Sequence, residues 1–178
     1  MKQPFKTDIE SIRRNAREKM ADGAVTPGNH ADKDKVIDVL NEVLATEIVC
    51  TLRYRSHYFL ASGIFSKPLA DEFLQHAIEE QTHVDQVAQR ITQLGGIPNF
   101  SPDGLATRSH SEYGRAARVE DMIRDDLVAE RIAIQTYAEI VRWLGDDDPT
   151  TRRLIESILA VEEEHADDMK NLLDKFSK

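Results

Sequence analysis

Apolar positions along the chain recur in steps of three and four, the spacing of one face of an α-helix. Four long stretches carry the pattern. The first reads Leu40, Leu44, Glu47, Thr51, Tyr54, Tyr58, and the second Phe73, Ala77, Glu80, Val84, Val87, Ile91, Leu94. The third reads Ile123, Leu127, Glu130, Ile134, Tyr137, Val141, Leu144, and the fourth Ile155, Ile158, Glu162, His165, Met169, Leu172, Phe176. They predict helices over residues 33–61, 68–94, 119–144 and 150–176. Asp32 is placed to cap the first helix, and Gly63 to end it. Pro68 suits the first turn of the second helix, which stops at Gly95-Gly96. Gly145 ends the third, and Asp146-Asp147-Asp148-Pro149 makes a tight turn into the fourth. Residues 97–118 contain Pro98, Pro102 and Gly104 and form the one long connection. A link of that length can cross the full height of a bundle, so helices two and three can lie parallel. The fold class is all-α: a four-helix bundle over residues 33–178 with a crossover between helices two and three. An N-terminal extension over 1–32 precedes it, with a weak helical stripe at Ile9, Ile12, Ala16 and Met20.

Each apolar seam is interrupted by one glutamate: Glu47, Glu80, Glu130 and Glu162. A glutamate buried without a partner costs several kcal/mol. Two of the four begin a Glu-x-x-His motif, adding His83 and His165 to the same faces. The spacing repeats: 33 residues separate Glu47 from Glu80, and 32 separate Glu130 from Glu162. Each half is a lone-glutamate helix followed by a Glu-x-x-His helix. Two such hairpins about a pseudo-twofold axis bring six ligands together, the donor set of a dinuclear metal site in a bundle core. Four carboxylates balance two divalent cations, which makes burial tolerable.

Composition narrows the setting. The 178 residues suffice for one domain with a sizeable core. Net charge is −9, which favours cations over a general affinity for nucleic acid. Residues 1–20 run the other way, with six Lys/Arg against three acids. That segment reads first as a docking piece and alternatively as an arm contacting DNA phosphates. No stretch approaches the roughly 20 apolar residues of a membrane span. With a single cysteine, Cys50, no intrachain disulfide can form, and a reducing cytoplasm is the expected compartment.

Other side chains read more plainly. Tyr54 and Tyr137 each lie seven residues after a lone glutamate; Tyr137 reads as core, Tyr54 as core or a redox-active neighbour of the metals. Cys50 reads as a small buried hydrophobe. His57, His76 and His110 read as surface or interface residues, Trp143 as packing, and Asp121, Asp125 and Asp126 as solvated surface. Glu79, Glu163 and Glu164 read as polar-face residues or supports for the ligands.

The chain resembles bacterioferritin from about Val36 to Leu172. The resemblance rests on Leu40-Asn41-Glu42 leading to Glu47, Glu80-Gln81-Thr82-His83, Leu94-Gly95-Gly96-Ile97-Pro98-Asn99, Glu130 and Glu162-Glu163-Glu164-His165. It implies a ferritin-like fold with two iron ions per subunit, held by Glu47, Glu80, His83, Glu130, Glu162 and His165, and with Tyr54 supplying an electron. It also implies a shared role for Glu80 and Glu162 between the two irons. The family's haem methionine falls on Gln81, which argues against haem, and its inner-surface iron histidine falls on Gln75. A fifth helix after residue 176 has no room, while the basic extension is similar to Dps-like ferritins, whose thioferritin version needs a cysteine pair. That favours a 12-mer over a 24-mer.

The resemblance implies iron storage and a ferroxidase that oxidises Fe(II) with O2 or H2O2 inside a homo-oligomeric cage. The alternatives are a Dps-like DNA-protecting protein, and a di-manganese catalase or rubrerythrin-like peroxidase. Ligands alone do not choose iron over manganese.

Overall fold

Six stretches have the residues to close helical hydrogen bonds, and the breakers between them set the ends. The computed structural model describes residues 6–18, 20–62 and 67–176. The helices are α1 (Ile9–Asn15), α2 (Lys33–Ser62), α3 (Lys67–Gln93), α4 (Leu105–Arg108), α5 (Val119–Leu144) and α6 (Pro149–Phe176). Among the described residues every regular element is helical. α2 packs chiefly on α3 and α5 chiefly on α6, giving two hairpins joined through α2–α5 and α3–α6 contacts.

Two apolar layers fill the bundle. One contains Leu44, Val84, Ala133 and Ile158; the other contains Tyr54, Ala77, Ile123 and Met169. Along every long helix the seam glutamate lies between a residue of one layer and a residue of the other. α2 and α6 pass through the layers in one order, α3 and α5 in the reverse order. Helices α3 and α5 therefore run parallel, as the long connection requires.

The connection is tied to α2 along its length. The Asn41 amide donates to Ile37 O, and its oxygen accepts from Asn99 N at 2.8 Å. Thr46 Oγ1 accepts from His110 N, and Arg53 donates to Ser111 Oγ and Glu112 O. The connection also forms a short helix of its own, α4, packed on α2. At the end of α3, Gly95 has φ +82°, and Gly95 N and Gly96 N donate back to Thr92 O and Ile91 O. That reciprocal pair closes the helix. A Cβ on Gly96 would lie 2.8 Å from Ile37, so the side-chain-free residue also lets the turn reach α2.

Asp148 caps α6 and does more. It accepts from Thr151 N at 3.0 Å and from Arg90 Nη2 at 3.0 and 3.1 Å, tying α6 to the far end of α3. Replacing Asp148 with alanine removes the cap and leaves Arg90 with only neutral partners. We expect a loss of about 2 kcal/mol, read from the thermal midpoint.

Several expectations change here. Trp143, read as packing, is 49% exposed on α5. The N-terminal helix ends at Asn15, short of the full Ile9-to-Met20 stripe, and Met20–Asp22 is a separate 3-10 turn. No residue of α1 is fully buried, and within the 1–32 extension it is Val25 and Ala31 that pack on the core. Asp8 caps α1, its carboxylate accepting from Ser11 N at 3.0 Å. Gly63, expected to end the first long helix, lies outside the described residues, as do Lys2 and Lys19 of the basic segment.

Candidate metal centre

The four seam glutamates and both motif histidines are buried together, each at most 4% exposed. Their donor atoms form two groups. Glu47, Glu80, His83 and Glu162 offer atoms that all lie within 4.8 Å of one another, and so do Glu80, Glu130, Glu162 and His165. Glu80 and Glu162 belong to both. The arrangement is two neighbouring sites with two shared carboxylates, each completed by one further carboxylate and one imidazole. Each half of the sequence repeat supplies one member of the shared pair.

Both imidazoles face inward through Nδ1. His83 Nδ1 is 3.0 Å from Glu47 Oε2 and 3.1 Å from Glu162 Oε1. His165 Nδ1 is 3.4 Å from Glu80 and 3.3 Å from Glu162. On its other side His165 Nε2 meets Glu79 Oε2 at 2.8 Å, and Glu79 in turn accepts from Gln75 at 2.7 Å. A carboxylate behind an imidazole fixes the tautomer and turns the opposite nitrogen toward a metal. Glu79 is thus a support for a ligand, as its position beside Glu80 suggested.

The donor set fits two divalent cations. Both oxygens of Glu80, both of Glu162, Glu130 Oε2 and His165 Nδ1 are buried without a hydrogen bond. Buried acceptors in that number are rarely left unpaired without an ion to receive them. Burial and the neighbouring Glu80 charge push the Glu47 carboxyl up to about 7, and the same causes raise Glu130. Burial works against charge on His165, but the Glu162 and Glu80 carboxylates outweigh it and lift the imidazole to about 11. His83 is raised in the same way. Protons therefore offset part of the acids' charge when no metal is bound.

The folded Glu47 pKa lies above its ordinary value near 4.5. Protonated Glu47 stabilises the metal-free fold; that contribution is complete below about 4.5 and is lost as pH rises through about 7. Metal must displace these protons. We expect Co(II) affinity to fall as pH drops below 7, with proton release visible in calorimetry across buffers of different ionisation enthalpy.

The tyrosines form a matched pair. Tyr54 of α2 donates to Glu130 Oε1 on α5 at 2.5 Å, and Tyr137 of α5 donates to Glu47 Oε1 on α2. Tyr137, read as core, is buried but also holds a seam glutamate. Equal seven-residue offsets from Glu47 and Glu130 were the available signal.

Three further readings are overturned. His57 and His76 are 1% and 2% exposed, not surface residues. Asp126, expected in solvent, is fully buried and meets Arg53 Nε at 3.0 Å and His57 Nδ1 at 2.8 Å. Sequence reading missed Arg53 altogether, although Cys50, Arg53 and His57 share one face of α2. Cys50 is buried as expected, with Arg53 Nη2 at 3.2 Å from its sulfur. His110 is partly exposed and lies 3.3 Å from Glu42, consistent with its surface assignment. Gln81 is exposed and bonded to Asp85.

Comparison with known proteins agrees with this geometry. A family model described as a ferritin-like domain matches residues 37–178. A bacterioferritin of Brucella melitensis is 33% identical over 147 residues, covering 81% of this chain and 86% of that protein. A nutrient stress-induced DNA-binding protein of Nostoc sp. is 33% identical over 147 residues, covering 80% and 79%. Among solved structures, a dodecameric thioferritin, the bacterioferritin-related protein of Bacteroides fragilis, superposes with a TM-score of 0.78 at 29% identity. The match covers 83% of this chain and 89% of that one.

Proposed function

This chain belongs to the bacterioferritin branch of the ferritin-like di-iron superfamily, and we propose that it is an iron-storage ferroxidase. The observation that carries the reading is the buried pair of donor groups sharing Glu80 and Glu162. Two Fe(II) ions are the substrate. Glu47 and His83 hold one, Glu130 and His165 the other, and Glu80 and Glu162 reach both. Hard carboxylate oxygens favour the ferric product, and the imidazoles hold the ferrous substrate. The two irons give up one electron each, and the oxidant takes both together. O2 with two protons becomes H2O2, or H2O2 with two protons becomes two waters. Paired delivery avoids a one-electron radical.

Reduction of O2 to two waters takes four electrons and four protons; two of the electrons come from the paired irons, and Tyr54, bonded to Glu130, would supply a third and a further Fe(II) the fourth. Tyr54→Phe keeps the ring packing and removes the hydroxyl. We expect slower Fe(II) oxidation, by several-fold, with metal stoichiometry unchanged. A tyrosyl radical signal by electron paramagnetic resonance would be present in the parent and absent in the variant.

The ferric product is stored as mineral in a homo-oligomeric cage, for which a 12-mer is proposed on the likeness to the B. fragilis dodecamer. Gln81 offers no thioether for haem, so no haem is proposed. Among the described residues no helix is long and apolar enough to cross a membrane. The test is Glu80→Ala and Glu162→Ala in assembled protein. Rapid Fe(II) oxidation should vanish while the cage still forms; normal rates in either variant would overturn the reading.

A second reading has one observation behind it. α1 is exposed and carries Arg13 and Arg14, with Arg17 just beyond, on a relative of a DNA-binding protein. A mobility-shift assay at low and physiological salt, with residues 1–20 deleted, separates DNA protection from storage alone. Oxygen evolution from H2O2 with manganese bound would instead favour a catalase.

A further inference from the structure

The buried cluster does not end at His165. His76, one turn before Glu80 on α3, stacks on the His165 ring with centroids 4.1 Å apart and planes 19° from parallel. It is 2% exposed, and its Nδ1 has no hydrogen-bond partner. Nothing in the proposed oxidation uses it. Its Nε2 is 3.6 Å from Asp168 Oδ2 on α6 and 3.7 Å from Glu72 Oε1 on α3. These separations are too long for hydrogen bonds. Two donors bound at about 2.1 Å to one tetrahedral ion lie roughly 3.4 Å apart, close to what is found.

Three features mark the cluster as more than surface acidity. The imidazole is buried, yet aimed at two carboxylates. Those carboxylates come from different helices and are themselves 40% and 50% exposed, so solvent ions reach them. On its inner side, His76 also forms a ligand-spaced group with Glu79 and His165. A continuous series of donors thus leads from solvent to the shared glutamates.

We propose that Glu72, His76 and Asp168 form a third divalent transition-metal site, at the edge of the bundle, from which Fe(II) passes inward by way of Glu79 and His165. One imidazole with two carboxylates suits Fe(II), Co(II), Mn(II) or Zn(II) rather than Ca(II) or Mg(II). The site itself stands on the geometry of these three residues. Its delivery role rests on the ferroxidase reading.

Co(II) is the probe. Metal-free assembled protein is dialysed to equilibrium against Co(II), and bound metal is counted per chain. Glu72→Gln/Asp168→Asn changes two exposed side chains and should bind one Co(II) fewer than the parent. His76→Gln should show the same loss. Glu80→Ala/Glu162→Ala should lose the buried pair and keep the outer ion. Equal counts in the parent and the Glu72/Asp168 variant would overturn the third site and leave the buried centre standing. Equal counts in the parent and the Glu80/Glu162 variant would overturn the buried centre instead. For delivery, the Glu72/Asp168 variant should oxidise limiting Fe(II) several-fold more slowly and recover at saturating Fe(II). An unchanged rate at limiting Fe(II) would refute the delivery role.

Discussion

Glu80→Gln is expected to stabilise the metal-free protein while destroying its activity. Glu80 lies in both donor groups, and neither of its oxygens has a hydrogen-bond partner. Its charge is one cause of the raised Glu47 and Glu130 pKa values, after burial. Glutamine keeps the volume and removes that charge. Removing one of four like charges crowded in the core relieves the repulsion that raises Glu47 and Glu130, and is expected to stabilise the metal-free fold by about 1 kcal/mol, the scale of one pKa unit. In a chain of this size each kcal/mol moves the thermal midpoint by about 2–4 °C. With metal the order should reverse. The parent gains about 2.7 kcal/mol at a metal concentration one hundred times its dissociation constant. The variant has lost a ligand shared by both ions and gains far less. Fe(II) oxidation should fall by at least about 100-fold, because even a lost supporting partner costs 10–100-fold at metal sites. Calorimetry of both proteins, with and without Co(II), reads the crossing directly. If the variant melts below the parent when metal is absent, repulsion among the carboxylates does not limit the stability of the metal-free fold.

That trade explains why the centre was legible in sequence. A charged residue at a core position of a regular seam breaks the hydrophobic pattern, and four such breaks at matched spacing have few explanations. Helix ends were legible for the same local reasons: Asp148 before Pro149, and the Gly95-Gly96 turn. What escaped was anything decided by contact between distant segments. Asp126 stands beside Asp125 and reads as solvated acid until Arg53 is known to face it. His57 and His76 carry no period-breaking signal, since a histidine suits a surface as readily as a core. Tyr137 was half legible: its burial followed from the seam, but its bond to Glu47 required knowing that α2 and α5 face each other. The short helix α4 depends on how the crossover lies over α2, and the exposure of Trp143 on how α5 meets its neighbours. Those choices are made by packing, not by local propensity.

Pseudo-symmetry links the site to its surroundings. Each lone-glutamate helix supplies a tyrosine to the other's glutamate, so the hairpins clasp across the centre through Tyr54–Glu130 and Tyr137–Glu47. The symmetry then breaks on one side only. Arg53 and His57 flank Tyr54 on α2, whereas the corresponding positions after Glu130 are Thr136 and Ile140. The buried ionic network therefore stands behind Tyr54 alone, consistent with a distinct role for that tyrosine.

Asp126→Asn should be the most destabilising single change outside the metal centre. The Arg53 guanidinium is 1% exposed and spends its donors on Asp126, Ser111, the Glu112 carbonyl and the Cys50 sulfur. Among the described residues Asp126 is the one carboxylate within ion-pair distance of it, and it also meets His57 Nδ1 at 2.8 Å. Asparagine keeps the shape but leaves a buried cation without its counter-charge. Loss of one member of a buried pair costs about 3–5 kcal/mol, a midpoint drop on the order of 10 °C here. The double change Arg53→Met/Asp126→Leu removes both charges and should recover most of that loss. Recovery matters, because it separates an uncompensated charge from a general intolerance of substitution at this position. The network also joins α2, α5 and the crossover immediately beside Tyr54 and Glu130. Asp126→Asn should therefore slow Fe(II) oxidation as well, and the double variant should restore the fold more fully than the rate. A single variant melting within about 1 kcal/mol of the parent would show that Arg53 is held by its neutral partners alone.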